Sequence, residues 1–231
     1  MTDQPPRPTA PPPGVRTTRR RGRTSAAKVA ALTELGPSWS IATTGPWSAE
    51  TVGEAFGRTG PILVDIGVGS GEATRAWAAD HPTMLVVALE LHRPGLARLL
   101  TDLDQAGPDN VRVAEVDALE VLGRLEPGSV RAIRVLFPDP WPKRRHVARR
   151  MVDRAFASAA ADALEPGGQL LLATDWLDYA EHMRTMVATE PRLEPVAVEG
   201  RPDRPVTAYE QRGLRAGRSI TDLAFRRTGS A

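Results

Sequence analysis

From about residue 60 onward the chain alternates short runs of β-branched and other apolar residues with amphipathic helical segments, and this alternation restricts the fold more than any other feature. Strands are expected at Ile62–Ile66, Met84–Leu89, Val111–Val116, Val130–Phe137 and Gln169–Ala173, with a weaker one at Pro195–Val198 and a last one at Ile220–Phe225. Helices are expected at Ala73–Ala79, Gly95–Gln105, Val147–Leu164 and Leu177–Thr189; in the second of these Leu96, Leu99, Leu100 and Leu103 share one face. Pro166, Gly167 and Gly168 are expected to break the chain before the fifth strand. Upstream, Ser25–Leu35 reads as a short helix, and Ser48 can cap another that runs to Phe56. The class is α/β: one domain with a mainly parallel, seven-stranded sheet and helices on both faces.

The 231 residues suit one such domain preceded by a tail. Residues 1–28 carry seven basic side chains and one acid, whereas the other 203 residues hold 23 basic and 27 acidic, so a net charge of +2 conceals a basic tail on an acidic body. Six prolines in the first thirteen residues, then Arg16, Arg19, Arg20, Arg21 and Arg23, leave almost nothing apolar to bury. Residues 1–24 are therefore expected to be a disordered Pro/Arg-rich tail, with the domain at 25–231 and its core at about 60–227. An export signal built on Arg19–Arg21 is disfavoured, because Lys28 and Glu34 stand where an apolar segment is required. With no Cys there is no disulfide, thiolate zinc site or cysteine nucleophile, and four scattered His argue against a metal centre. No stretch reaches the roughly 18 apolar residues of a membrane span. A cytoplasmic protein without metal or membrane attachment is expected, its oligomeric state left open between monomer and homodimer.

In an open α/β sheet, ligands bind at the carboxyl ends of the strands. Five successive strands here end on an acid: Asp65, Glu90, Asp117, Asp139 and Asp175. One acid in such a place is commonly a helix cap or turn former; five along one edge point to a ligand. The first precedes Gly67, Gly69 and Gly71, a G-x-G-x-G loop between strand and helix. Glycines there let a ligand approach the backbone, and the preceding carboxylate suits an amino or cationic group better than a pyrophosphate. Glu90, 19 residues past Gly71, is placed to accept the hydroxyls of a ribose. After the fourth strand, Phe137-Pro138-Asp139-Pro140-Trp141-Pro142-Lys143 stiffens a loop with three prolines. It can hold a carboxylate, an aromatic face and an ammonium in fixed relation, or it can be a turn in which Trp141 merely packs. Lys143 is one of two Lys beside 28 Arg.

Over residues 60–227 the glycine loop, the acids after strands two and three, and the Pro-Gly-Gly turn resemble the class I S-adenosylmethionine-dependent methyltransferases, which have a Rossmann-like fold. The Phe137–His146 segment resembles the Phe-x-Asp-Pro-Trp-x-Lys-x-Arg-His motif of bacterial tRNA (guanine-N7)-methyltransferases. Ala173–Trp176 followed by Tyr179–Glu181, and Arg204–Gly213 with its Thr207-Ala208-Tyr209-Glu210, resemble two further motifs of that family in the same order. The resemblance implies methyl transfer from S-adenosyl-L-methionine to N7 of guanine in tRNA, at nucleotide 46 of the variable loop. It further implies that Asp65, Gly67, Gly69, Gly71, Glu90, Asp117 and Asp139 bind the cofactor, that Asp139 is catalytic, and that Lys143, Asp175, Thr207, Tyr209 and Glu210 bind substrate. Lys143–Arg154, Arg201–Arg227 and the tail are the expected phosphate-binding surfaces, although charges on a solvated helix face account equally well for Arg149, Arg150 and Arg154. Two departures stand out: Asp65 replaces the family's usual Glu, and Ala208 replaces a common Lys or Arg. The competing readings are an NAD-dependent oxidoreductase, an exocyclic-amine methyltransferase, and a noncatalytic RNA-binding protein on a methyltransferase scaffold.

Overall fold

The computed structural model describes residues 25–198 and 204–229; the expected tail at 1–24 lies outside them. In chain order the elements are α1 (Ala26–Glu34), α2 (Gly36–Trp39), α3 (Ala49–Phe56), β1 (Ile62–Ile66), α4 (Glu72–Asp80), β2 (Leu85–Leu89), α5 (Arg93–Ala106), β3 (Val111–Ala114), α6 (Ala118–Leu122) and β4 (Val130–Leu136). A 3-10 turn (Arg144–Arg149), α7 (Arg154–Ala163), β5 (Leu164–Thr174), α8 (Leu177–Val187), β6 (Leu193–Val196), α9 (Ala208–Arg215) and β7 (Thr221–Arg227) follow. Among the described residues seven strands form one sheet in the order β3-β2-β1-β4-β5-β7-β6. All pairings are parallel except those of β7, which runs antiparallel to both β5 and β6. The order reverses between β1 and β4, which opens a crevice at the carboxyl ends of those two strands.

The sheet is buried on both faces, and the two-residue period of its strands sorts the core. Leu63, Val86, Ala88 and Ala132 pack with Leu96, Leu99, Leu100 and Leu103 of α5, and with Ala78 of α4. Ile62, Val64, Leu85, Val87, Ile133 and Val135 face the opposite cluster, which holds Phe156, Ala157, Ala160 and Ala161 of α7 and Tyr179 and Met183 of α8. Leu32, Leu35 and Trp39 add α1 and α2 to the α5 side. No helix among the described residues is long and apolar enough to cross a membrane.

The structure corrects the sequence reading at five places. The single helix expected over Val147–Leu164 is instead the 3-10 turn, an extended link with Arg150 at φ −62° and ψ 133°, and α7. Asp153 starts α7 afresh as its N-cap, accepting from the Phe156 N–H at 2.8 Å. Pro166-Gly167-Gly168 lies within β5, where the pairing with β4 shifts register between Val130 and Ala132; the chain bulges rather than breaks. The single turn α2, helix α6, capped by Asp117, and helix α9, capped by Thr207, are not among the expected elements.

Tyr179 is fully buried, and its hydroxyl accepts the Val152 N–H at 3.2 Å, fastening the segment before α7 to α8. Burial is the main cause that pushes its phenol up to about 12. The folded state thus keeps a proton that the unfolded chain releases near pH 10, so this contribution is intact below pH 10 and lost as the pH rises from 10 to 12. Urea unfolding should lose about 2–3 kcal/mol across that interval relative to Tyr179→Phe; identical pH dependence of the two proteins would contradict this placement.

Candidate active site

At the crevice between β1 and β4 lies a cavity of about 250 Å³, with a smaller one of about 50 Å³ beside it. The glycine loop forms one wall. Gly67, Gly69 and Gly71 all adopt left-handed φ angles (71°, 60° and 71°), and a Cβ on Gly71 would sit 2.3 Å from Leu99 Cδ1. At Gly67 an added Cβ meets no atom within 4 Å, so this part of the loop opens on the cavity. Glu90 clips the loop from the end of β2: its carboxylate accepts the Gly69 N–H at 2.6 Å and the His92 N–H at 2.6 Å. A carboxylate has about four acceptor positions, so Glu90 keeps capacity for further donors. Gly95, in the first turn of α5, allows that helix to reach the loop; a Cβ there would lie 2.7 Å from the Gly69 carbonyl oxygen. Sequence reading missed Gly95, which lies beyond the G-x-G-x-G spacing.

The opposite wall comes from the end of β4: Phe137, Pro138, Asp139 and Trp141, with Arg149 and Met151 from the following segment. Phe137 and Trp141 have φ of 54° and 44°, the left-handed region that bulky residues avoid. Each costs on the order of 1–3 kcal/mol and persists only where surrounding contacts impose it. Phe137 is held by its N–H to the Ala173 carbonyl at 2.8 Å, and the Arg204 guanidinium lies 5.3 Å from its ring. Trp141 has the Arg149 guanidinium 5.0 Å from its ring centre and the His146 imidazole edge-on at 5.7 Å. Asp139 is exposed at the mouth. Local charge is positive: desolvation, then Arg149, Arg145 and Lys143, hold the His146 imidazole below its ordinary range.

Of the expected residues, the main cavity brings together Gly67, Gly69, Glu90, Asp139 and Tyr209. Asp65 borders only the smaller cavity and is 2% exposed. Its carboxylate accepts Arg134 Nε at 3.0 Å, Arg134 Nη2 at 2.6 Å and the Thr74 hydroxyl at 2.7 Å, so it acts beneath the loop. Arg134, a charge in the middle of an apolar strand, was the unread signal for this pair. Asp117 caps α6 through the Leu119 N–H at 3.0 Å, while its neighbours Val116 and Ala118 line the cavity. Gly71 stands behind the lining residues as the N-cap of α4. Lys143 is exposed at the start of the 3-10 turn, and Asp175 accepts Arg218 Nε at 2.8 Å against α9.

Thr207 borders the smaller cavity and caps α9 by accepting the Glu210 N–H at 3.2 Å. The Thr-x-x-Glu spacing was the available signal for this helix. Tyr209, 54% exposed, hangs over Gly69. Glu210 is fully buried and paired with Arg204, which also donates to Asp222 at 2.9 Å.

Comparison with known proteins follows the same lines. Residues 59–223 match the family model described as "Putative methyltransferase". The tRNA (guanine-N(7)-)-methyltransferase of Alkalilimnicola ehrlichii is 42% identical over 214 residues, covering 90% of each chain. The chain belongs to the tRNA (guanine-N7)-methyltransferase family. A Nocardioides member is 47% identical over 182 residues, covering 78% of this chain and 73% of its own. Among solved structures, the 16S rRNA methyltransferase KamB superposes with a TM-score of 0.57 at 16% identity, over 83% of this chain and 99% of its own. A 16S rRNA adenine methyltransferase variant from Catenulisporales acidiphilia with its cosubstrate SAM gives 0.55 at 17% identity, over 79% and 92%. At such identities they share the fold: class I methyltransferase, as the alternation of strands and helices and the glycine loop led one to expect.

The burial of Glu210 makes its substitution diagnostic. Glu210→Ala leaves the buried Arg204 short of a partner and should cost about 3 kcal/mol in urea unfolding. A variant as stable as the parent but weaker in RNA binding would instead place Glu210 in the RNA interface.

Proposed function

We propose that this chain transfers the methyl group of S-adenosyl-L-methionine to N7 of guanine in tRNA, at nucleotide 46 in the variable loop, in the bacterial cytoplasm. Membership of the family carries the reading, and the cavity agrees with it: glycine backbone on one side, the Glu90 carboxylate at the end of β2, and Asp139 and Trp141 facing them. When bound there, the cofactor supplies an electrophilic sulfonium methyl group. Gly67 and Gly69 would leave room for it against the backbone, and Glu90 would accept its ribose hydroxyls. Val116 and Ala118, on either side of Asp117, would hold the adenine, with Asp117, the cap of α6, beside them as the polar group of that segment. Asp65 serves the cofactor indirectly, by holding the loop through Arg134 and Thr74.

Guanine N7 carries an in-plane lone pair and no proton, so the chain need not supply a general base. Asp139 holds the guanine by its N1 and N2 hydrogens and offsets the positive charge that the ring acquires on alkylation, which are positioning and electrostatic roles. Trp141 stacks on the base, a contact worth about 1–3 kcal/mol, and Tyr209 closes the opposite side. The exposed cations Lys143, Arg144, Arg145, Arg149, Arg154, Arg212 and Arg215 receive the phosphates. Arg150 and Arg204 are buried, and Arg218 pairs with Asp175, so the structure favours the solvated subset of the expected basic stretches. Arg201 and the tail lie outside the described residues.

An oxidoreductase reading loses its support to the family membership, and the noncatalytic reading remains an outcome of the test. Incubation with labelled S-adenosylmethionine and unmodified tRNA transcripts, then borohydride and aniline, should cleave the variable loop at 7-methylguanosine. Asp139→Ala should lower kcat on the order of 10²-fold, and the wild-type rate should show no essential base whose ionisation disappears in Asp139→Asn. Cofactor binding without incorporation into any tRNA would overturn the substrate, and absence of both would favour a binding module.

A further inference from the structure

The sequence presents Arg149 and Arg150 as two equivalent cations beside the proline-rich loop, and the structure separates them. Arg149 is exposed, lines the cavity and lies against Trp141. Arg150 is 3% exposed, on the inner side of the same segment, where a phosphate has no access. Its Nε donates to the Pro140 carbonyl at 3.0 Å, its Nη2 donates to the carboxylate of Asp178 at the start of α8, and its guanidinium carbon lies 4.9 Å from the centre of the Tyr179 ring. Three independent contacts therefore join one side chain to the loop after β4 and to the helix after β5.

The chemistry of the loop explains why such a grip matters. Pro138, Pro140 and Pro142 have no N–H, so at these positions the loop offers only carbonyls to anything that would fasten it. Its ends are tied by the Phe137 N–H to the Ala173 carbonyl at 2.8 Å and by the Lys143 carbonyl, which accepts the His146 N–H at 2.7 Å. Between those ends, Pro140 separates Asp139 from Trp141, and both of these line the cavity. A donor on the Pro140 carbonyl therefore fixes the two cavity groups relative to each other. It also helps impose the left-handed conformation of Trp141, φ 44°. Arg suits the place better than Lys would, because a planar fork can serve the carbonyl and the carboxylate together while one face rests on an aromatic ring.

We propose that Arg150 is a positioning residue for methyl transfer, which holds the Asp139–Trp141 segment in its reactive shape from behind and couples it to α8 through Asp178 and Tyr179. It is not a phosphate ligand, although it belongs to the most basic segment of the domain. This rests on the reading of Asp139 and Trp141 as the groups that hold guanine; the mechanical part of it, the grip on the loop, does not.

The test uses the full chain and the variants Arg150→Lys, Arg150→Met and Asp178→Asn. In the absence of RNA, amide exchange of the peptide spanning residues 138–147 should accelerate at least tenfold in both Arg150 variants, and by a smaller factor in Asp178→Asn. The peptide covering the glycine loop and α4 should be unchanged. Equal exchange in the 138–147 peptide overturns the proposal whatever the substrate proves to be. With tRNA, Arg150→Lys should lower kcat at least tenfold, leave KM for both substrates within about threefold, and leave the slope of log affinity against log salt unaltered. Unchanged kcat with a raised KM for tRNA and a slope reduced by about one would make Arg150 a phosphate ligand instead. Should the Arg150 variants fail to fold, Asp178→Asn decides, since its carboxylate is 72% exposed: faster loop exchange supports the proposal and unchanged exchange overturns it.

Discussion

A buried ion pair joins the two central strands at the point where the strand order reverses. Asp65 of β1 and Arg134 of β4 are register partners, 2% and 3% exposed, and meet through two hydrogen bonds. Removing two charges from water is costly unless their remaining hydrogen-bonding capacity is used. Here the Thr74 hydroxyl of α4 takes a further position on Asp65, and the Trp77 ring lies 5.5 Å from the guanidinium. The pair thereby fixes three things at once: the register of β1 against β4, the start of α4, and the glycine loop between them. Because the glycine-loop wall of the crevice grows from β1 and β2 and the wall of Asp139 and Trp141 from the end of β4, this contact sets the relation of the two walls.

The five acids that end successive strands share an edge but not a task. Glu90 and Asp139 line the cavity, one clipping the glycine loop and the other open to solvent at the mouth. Asp65, Asp117 and Asp175 are held by Arg134, by the first turn of α6 and by Arg218 respectively. Carboxylates at strand ends can either meet a ligand or build the frame that meets it, and this fold uses both. The same division runs through the arginines: Arg149 faces the cavity, whereas Arg134, Arg150 and Arg204 are consumed by the frame.

The order of strands and helices was legible because it rests on burial with a period of two or of 3.6 residues, which the sequence carries locally. The main wall of the cavity was legible for a related reason: glycines and prolines write their backbone geometry into the sequence. What escaped was non-local. Arg134 reads as an interruption of an apolar strand until Asp65 is set beside it. Glu210 reads as a surface acid of a substrate motif until Arg204 and Asp222 enclose it. The expected helix over Val147–Leu164 stops at Arg150 because the contacts of its buried guanidinium with Pro140, Asp178 and Tyr179 outweigh helix propensity there, and Asp153 caps a new start. Helix α9 is masked in the sequence because Thr207 and Glu210 belong to a motif that resembles a substrate-binding one, while the same spacing fits an N-cap.

The most direct measurement is a double-mutant cycle on the central pair, with Asp65→Asn, Arg134→Met and the double variant, read as urea stability and as affinity for S-adenosylmethionine. If the pair holds the glycine loop, each single variant should lose stability and at least tenfold in cofactor affinity, while the double variant should be no worse than the poorer single one. Additive losses in affinity, or single variants that bind the cofactor as the parent does, would contradict the dependence of the site on this contact.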